Sequence, residues 1–192
     1  MPAARTAWEH FAVGRWLFRA DRFEEARREL AEAVSQDPGA FWPNLYLARC
    51  DYRLGNPEAA LIAASVCVAL EPDKAPCYYN RALIRKALGE DGAIADFDRA
   101  LQLDPTATAT LVERGKLLAE REKFTAALAD FAAALKHGAN PAEVHEQVAR
   151  VQCAQGNTSD AADSVRRALA ADPNYQPAIE LNRQLQADRD AP

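Results

Sequence analysis

The chain is short of the features that mark most enzymes and metal sites. Its four cysteines, Cys50, Cys67, Cys77 and Cys153, include no Cys-x-x-Cys pair, so the usual zinc and redox spacings are missing and free thiols are expected. Histidines number three, His10, His137 and His145, and there is no His-Glu-x-x-His, no glycine-rich phosphate loop and no nucleophile elbow. Glu24-Glu25 and the Glu143/Glu146 pair read as solvated helix charges rather than an acid/base pair. No catalytic residue, metal or cofactor is therefore expected. Positive charge is also scarce. Lys and Arg total 23 against 28 Asp and Glu, a net charge of −5, which excludes the general basic field that holds nucleic acid. No run approaches the ~18 apolar residues of a membrane span, and the opening MPAARTAWEHF lacks the apolar stretch of a signal peptide. A cytoplasmic chain is the expectation, and Asn157-Thr158-Ser159 is then a sequon without a use.

What the chain does have is a period. In the stretch 75–105, APCYYNRALIRKALGEDGAIADFDRALQLDP, the small residues Ala82, Ala93 and Ala100 recur along the whole chain at steps of 33 or 34. The earlier copies are Gly14/Ala26/Ala33 and Ala48/Ala60/Cys67; the later ones are Gly115/Ala127/Ala134 and Ala149/Ala161/Ala168. A fixed period of that size marks a helical solenoid, in which one helix pair cannot bury its apolar face without its neighbours. Small residues at fixed places let two helices approach closely, and larger ones fill the volume left between them. Three cysteines fall where other repeats carry small or apolar residues, which predicts buried thiols.

Taken in order, Thr6 and Glu9 make a capping box for a helix over 7–20. Phe23 closes the turn, and the second helix, 24–36, ends at Asp37-Pro38 because proline cannot continue it. The second repeat turns at Gly55-Asn56-Pro57, with Asn56 as N-cap and Pro57 at the first helical position. The third turns at 89–92, one residue shorter than the others, which accounts for the single step of 33. The fourth carries Phe124 and Phe131 and ends at Gly138, a natural left-handed cap. Asn140-Pro141 starts the fifth, which turns at Gly156 and stops at Asp172-Pro173. A last helix, 176–188, has Ala178, Leu181 and Leu185 on one face and polar residues elsewhere, suited to closing a solenoid's exposed end. Residues 189–192 are expected to be disordered. No linker splits the chain, so a single domain is expected, with repeats at 7–40, 41–74, 75–107, 108–141 and 142–175.

This array resembles the tetratricopeptide repeat (TPR) family. That family's pattern places small residues at repeat positions 8, 20 and 27, filled here by the residues already named. A large residue is favoured at position 24, here Leu30, Ala64, Phe97, Phe131 and Val165, and proline at 32, here Pro38, Pro72, Pro105, Ala139 and Pro173. Position 4, where the family favours Trp, departs from it (His10, Asn44, Tyr78, Leu111, His145), as does Asp21 where it favours Gly. The resemblance implies an all-α fold, a right-handed superhelical solenoid of antiparallel helix pairs, acting as a non-catalytic interaction module.

It also implies a concave groove lined by the first helix of each pair. Trp8, Phe11, Arg15, Phe18 and Arg19 would face it from the first repeat, and Trp42, Leu45, Tyr46, Arg49, Tyr52 and Arg53 from the second. Tyr79, Asn80, Leu83 and Lys86 follow, then Val112, Glu113, Lys116, Glu120, Glu143, Glu146, Gln147 and Arg150. The groove is thus aromatic and basic toward the N-terminus, mixed and more acidic beyond. Arg15 and Arg49 share one repeat position and Arg19 and Arg53 another, two short ladders of positive charge suited to an acidic peptide or a free carboxylate. Trp, Tyr and Arg are also the residues that most often dominate binding energy. The alternative is that these aromatics pack between helices while the arginines are merely solvated. The family's chaperone-tail clamp is not expected, since Phe11 and Arg15 stand where it needs Lys and Asn.

Trp16 is a separate clue. Its repeat position holds Cys50, Ile84, Leu117 and Val151 elsewhere, where it should pack on a preceding repeat. Trp16 is then either covered by residues 1–6 or left as an apolar edge for self-association. Three functional readings follow: a scaffold binding an extended peptide, with no nucleic acid and no membrane span; a regulatory segment of a larger signalling protein; or a self-assembling scaffold.

Overall fold

The computed structural model describes residues 5–190. Five helix pairs and a closing helix lie within them. The pairs are α1 (Ala7–Arg19) with α2 (Phe23–Gln36), α3 (Phe41–Arg53) with α4 (Pro57–Leu70), α5 (Ala75–Leu88) with α6 (Ala93–Leu103), α7 (Thr108–Glu120) with α8 (Phe124–Lys136), and α9 (Pro141–Ala154) with α10 (Thr158–Ala171). The last helix, α11, is Gln176–Asp190. It runs past the expected end at 188, so residues 189 and 190 are helical, while 191 and 192 lie outside the described residues. By packing, the chain falls into two compact units divided at Asp104–Pro105. The first holds α1–α6 and the second α7–α11. Within each unit every helix packs on the next, and in the first unit α1 also touches α3 and α3 touches α5.

The small residues do what their period predicts. Ala26, Ala33, Ala48, Ala60, Cys67, Ala82, Ala93 and Ala100 are buried to the last per cent or completely in the first unit, as are Ala127, Ala134, Ala149, Ala161 and Ala168 in the second. Leu30, Phe97, Phe131 and Val165 fill the interior beside them at 0% exposure. Where the small residue is glycine the fit is tightest: a Cβ on Gly115 would lie 2.6 Å from Cε1 of Phe131, and one on Gly14 would lie 2.7 Å from Cγ of Leu30. The four cysteines are free thiols; Cys50, Cys67 and Cys77 are buried and Cys153 half-buried. Burial pushes the Cys50 and Cys67 thiols up to about 12, which leaves them protonated and inert.

The helix ends show which caps work. At Thr6 both bonds of the box are made: the Thr6 N–H donates to Glu9 Oε2 at 2.7 Å and the Glu9 N–H to Thr6 Oγ1 at 3.3 Å. Asn140 Oδ1 accepts from the Ala142 N–H at 3.0 Å. Asn56 precedes α4 as expected, but its side chain makes no capping bond. The cause is backbone geometry: Thr6 and Asn140 have extended ψ values of 161° and 115°, whereas Asn56 sits at 65°, outside the extended region an N-cap side chain needs. The turn within each pair places one residue in the left-handed region, Asp21, Gly55, Gly89, Glu122 and Gly156, with φ between 55° and 79°. Asp21 and Glu122 occupy that position without glycine's freedom.

The third repeat corrects an expectation. Its missing residue does not shorten the turn, which spans 89–92, four residues against three in the other pairs. The deletion falls on the helix instead. Helix α6 has 11 residues, against 14 in α2, α4 and α10.

Candidate functional site

Three helices of the first unit, α1, α3 and α5, lie side by side and carry the aromatic and basic part of the predicted groove. Aromatic side chains of α1 and α3 form a connected line, apart from which Trp42 meets Phe41 and Tyr79 meets Phe97. Trp8 and Phe11 have ring centroids 5.4 Å apart, Phe11 meets Tyr46 at 5.8 Å, and Tyr46 meets Phe18 edge-on at 5.3 Å. Phe18 continues to Phe23 of α2 at 5.4 Å. Edge-to-face pairs at these separations add to the burial of the rings themselves.

The arginines ride on this line. Arg15 lies over Phe11 at 5.9 Å, Arg49 over Phe18 at 4.8 Å and Tyr46 at 5.4 Å, and Arg53 over Phe23 at 4.6 Å. Among the described residues neither Arg15, Arg19, Arg49 nor Arg53 pairs with a carboxylate. Elsewhere the chain treats its arginines differently. Arg27 reaches Asp51, Arg81 and Arg85 share Asp96, Arg114 grips Asp130, and Arg150 pairs with the buried Glu146. Beside Arg49 and Arg53 a cavity of about 380 Å³ is lined by Phe18, Tyr52, Pro76, Tyr79, Asn80 and Leu83 as well. Trp8 and Trp42 flank the face, 68% and 54% exposed. Lys86, on the same helix as Tyr79 and Asn80, is half-buried.

Four residues of the predicted groove are not presented, Val112 and Glu146 of the second unit (6% and 0% exposed) and Phe11 and Leu45 here. Leu45 is 4% exposed and packs against Cys67 and Cys77. Phe11 is 3% exposed and belongs to the cluster with Leu17, Leu30 and Ala33. Both stand at repeat position 5 and pack on buried residues of the paired helix, Leu30 and Ala33 for Phe11 and Cys67 for Leu45. Two residues the sequence reading passed over are brought in. Pro76 occupies the repeat position of Trp8 and Trp42, so the register alone points to it. Phe23 carries Arg53 from the first residue of α2, and only the aromatic at that place, repeated as Phe124, hints at it.

The matching face of the second unit has another character. Lys116 sits between Glu113 and Glu143 at 3.0 and 2.8 Å. Burial alone would lower its pKa, but the hydrogen bonds to Glu143 and Glu113 outweigh that and hold it above the ordinary lysine value. Glu146 is fully buried and accepts from Gln147 and Arg150. Among the described residues the groove cations of this face, Lys116 and Arg150, are thus already paired. Among the described residues no group of His, Cys, Asp and Glu could hold a metal ion, and no helix is long and apolar enough to cross a membrane.

Tetratricopeptide repeat models match residues 17–80 and 112–176, together more than half of the chain. The chain belongs to the tetratricopeptide repeat family. As a TPR array it is a protein–protein interaction scaffold. It is 36% identical over 84 residues to the FK506-binding protein-like of Mus musculus, covering 43% of this chain and 24% of that protein. It is 28% identical over 113 residues to the Protein SGT1 homolog of Bos taurus, covering 58% of this chain and 33% of that protein. The TPR chain thus spans a third or less of these relatives' length. Among solved structures it resembles a tetratricopeptide repeat protein from Parabacteroides merdae, with a TM-score of 0.81 at 19% identity over 94% of this chain and 72% of that one. It also resembles YrrB, described as a TPR protein with an unusual peptide-binding site, with a TM-score of 0.74 at 16% identity over 91% and 90%. At such identities the likeness is one of fold.

Proposed function

We propose that the face formed by α1, α3 and α5 binds an extended, anionic peptide segment of a protein partner. One observation carries this reading. In a chain of net charge −5, four arginines collect on one face with no carboxylate among the described residues to neutralise them, three of them resting on aromatic rings. Such an arrangement favours an anion by charge and a planar or apolar neighbour by contact. The peptide-binding site for which YrrB is described supports it by analogy of fold. Because the curated relatives are much longer than the matched region, the array also fits a regulatory segment of a larger protein.

The test is capture of partners, from a peptide library or in a pull-down, by the wild-type chain beside an Arg15→Glu/Arg49→Glu variant. Reversing two charges in the face is expected to weaken capture by about a hundredfold or more. Both side chains are exposed and the lost ring contacts cost only about 1–2 kcal/mol, so the variant stays folded. Undiminished capture by a folded variant removes the reading.

A second reading concerns Trp16, which is 61% exposed while Cys50, Ile84, Leu117 and Val151 at the same repeat position are all buried. Residues 1–4, part of the segment expected to cover it, lie outside the described residues; Arg22 lies over the ring at 5.8 Å. The exposed edge supports self-association through α1. Sedimentation should then show oligomers that Trp16→Glu dissolves; a wild-type chain monomeric at high concentration contradicts it.

A further inference from the structure

Arg49 and Arg53 stand one helical turn apart on α3, and both line the cavity closed on its other side by Pro76, Asn80 and Leu83 of α5. A guanidinium has five N–H donors and uses none of them on a ring it lies over by its Cζ, and both groups lie over rings in this way, at 4.8 and 4.6 Å. Nothing in the lining answers them, for the cavity contains no carboxylate. Asn80 is already engaged through its amide nitrogen, which donates to the Pro76 carbonyl at 2.7 Å. The cavity therefore meets its occupant with two positive charges and an excess of donors.

We propose that this cavity takes a phosphorylated side chain of the bound peptide. The inference rests on the peptide-binding reading above and names the anion. A carboxylate brings one negative charge and two oxygens, so it leaves one guanidinium uncompensated. A phosphate monoester carries a charge of about −1.5 to −2 and three strong acceptor oxygens, which matches both arginines at once. The apolar walls, Phe18, Leu83 and Pro76, favour a phosphate attached to a carbon chain over the free ion. The volume, about 380 Å³, lies at the lower end of the range for small-ligand pockets, ~300–1,000 Å³.

The probes are three degenerate extended peptide sets, identical except for one fixed position holding serine, aspartate or phosphoserine, presented to the full chain. The phosphoserine set should be captured about ten- to a hundredfold more tightly than the aspartate set. In an Arg49→Gln/Arg53→Gln variant with unchanged circular dichroism that ratio should fall to about one. Inorganic phosphate at matched concentration should not displace the phosphoserine set. Equal capture of the aspartate and phosphoserine sets overturns the phosphate assignment and leaves the peptide reading standing. Selectivity that survives in the variant overturns the assignment to this cavity, and displacement by inorganic phosphate assigns it to the free ion instead. Capture of none of the three sets sinks both readings.

Discussion

Phe131→Ala is expected to destabilise the chain by about 3–5 kcal/mol, among the largest effects of any single truncation here. The ring is completely buried and lies against Gly115 so closely that even a methyl group on that glycine would meet it at 2.6 Å. Truncation loses the transfer free energy of the ring and leaves a cavity next to the backbone of α7. Backbone closes over a gap less readily than a flexible side chain does, and Ala127 and Ala134 nearby are too small to fill it. Both helices of the pair would have to shift for the gap to close. Denaturant unfolding followed by circular dichroism is the measurement, since all three tryptophans, Trp8, Trp16 and Trp42, lie in the first unit and report on it. A loss below about 1 kcal/mol would mean that α7 and α8 move together and the close approach at Gly115 is not what fixes them.

The contact behind that prediction was legible before any coordinate, because close approach of two helices demands small residues and the chain supplies them at a fixed period. The register of all five repeats followed, while Trp16 was left between a covered and an exposed place, and the structure has it 61% exposed. Side-chain direction within the groove was less legible. A repeat position states which way a Cβ points, but Phe11 and Leu45 turn inward because apolar surface gains more from burial than from facing water. The arginine–aromatic stacking was not anticipated either. It depends on long side chains choosing among many rotamers, and no spacing rule encodes that choice. The turn of the third repeat shows another limit: a deletion can be counted in a sequence, yet whether turn or helix absorbs it is decided by packing. The buried ion pairs were missed although a signal existed. Arg81 and Arg114 share one repeat position and Asp96 and Asp130 another, a pairing hidden because charged residues on helices are usually read as solvated.

Those ion pairs carry the last prediction. Asp96→Ala should destabilise the first unit by about 3 kcal/mol. The Asp96 carboxylate is 4% exposed and accepts three hydrogen bonds, from Arg81 Nε at 2.8 Å, Arg81 Nη2 at 2.7 Å and Arg85 Nη1 at 2.8 Å. These bonds raise the Arg81 pKa above the ordinary value. Removing the acid leaves the half-buried Arg81 guanidinium with no counter-charge and Arg85 with Glu90 alone, which costs more than the pair itself contributes. The second repeat shows how the structure manages without the pair, since Leu47 and Ala63 stand where the third has Arg81 and Asp96. Copying that solution, an Arg81→Leu/Asp96→Ala double variant should return to within about 1 kcal/mol of the parent, because Arg85 keeps Glu90 at 3.5 Å and the orphaned charge is gone. Denaturant unfolding of the parent, both single variants and the double variant closes the cycle. Additive losses, with the double variant worse than either single, would show that the arginine stems hold the helices and the charges do not.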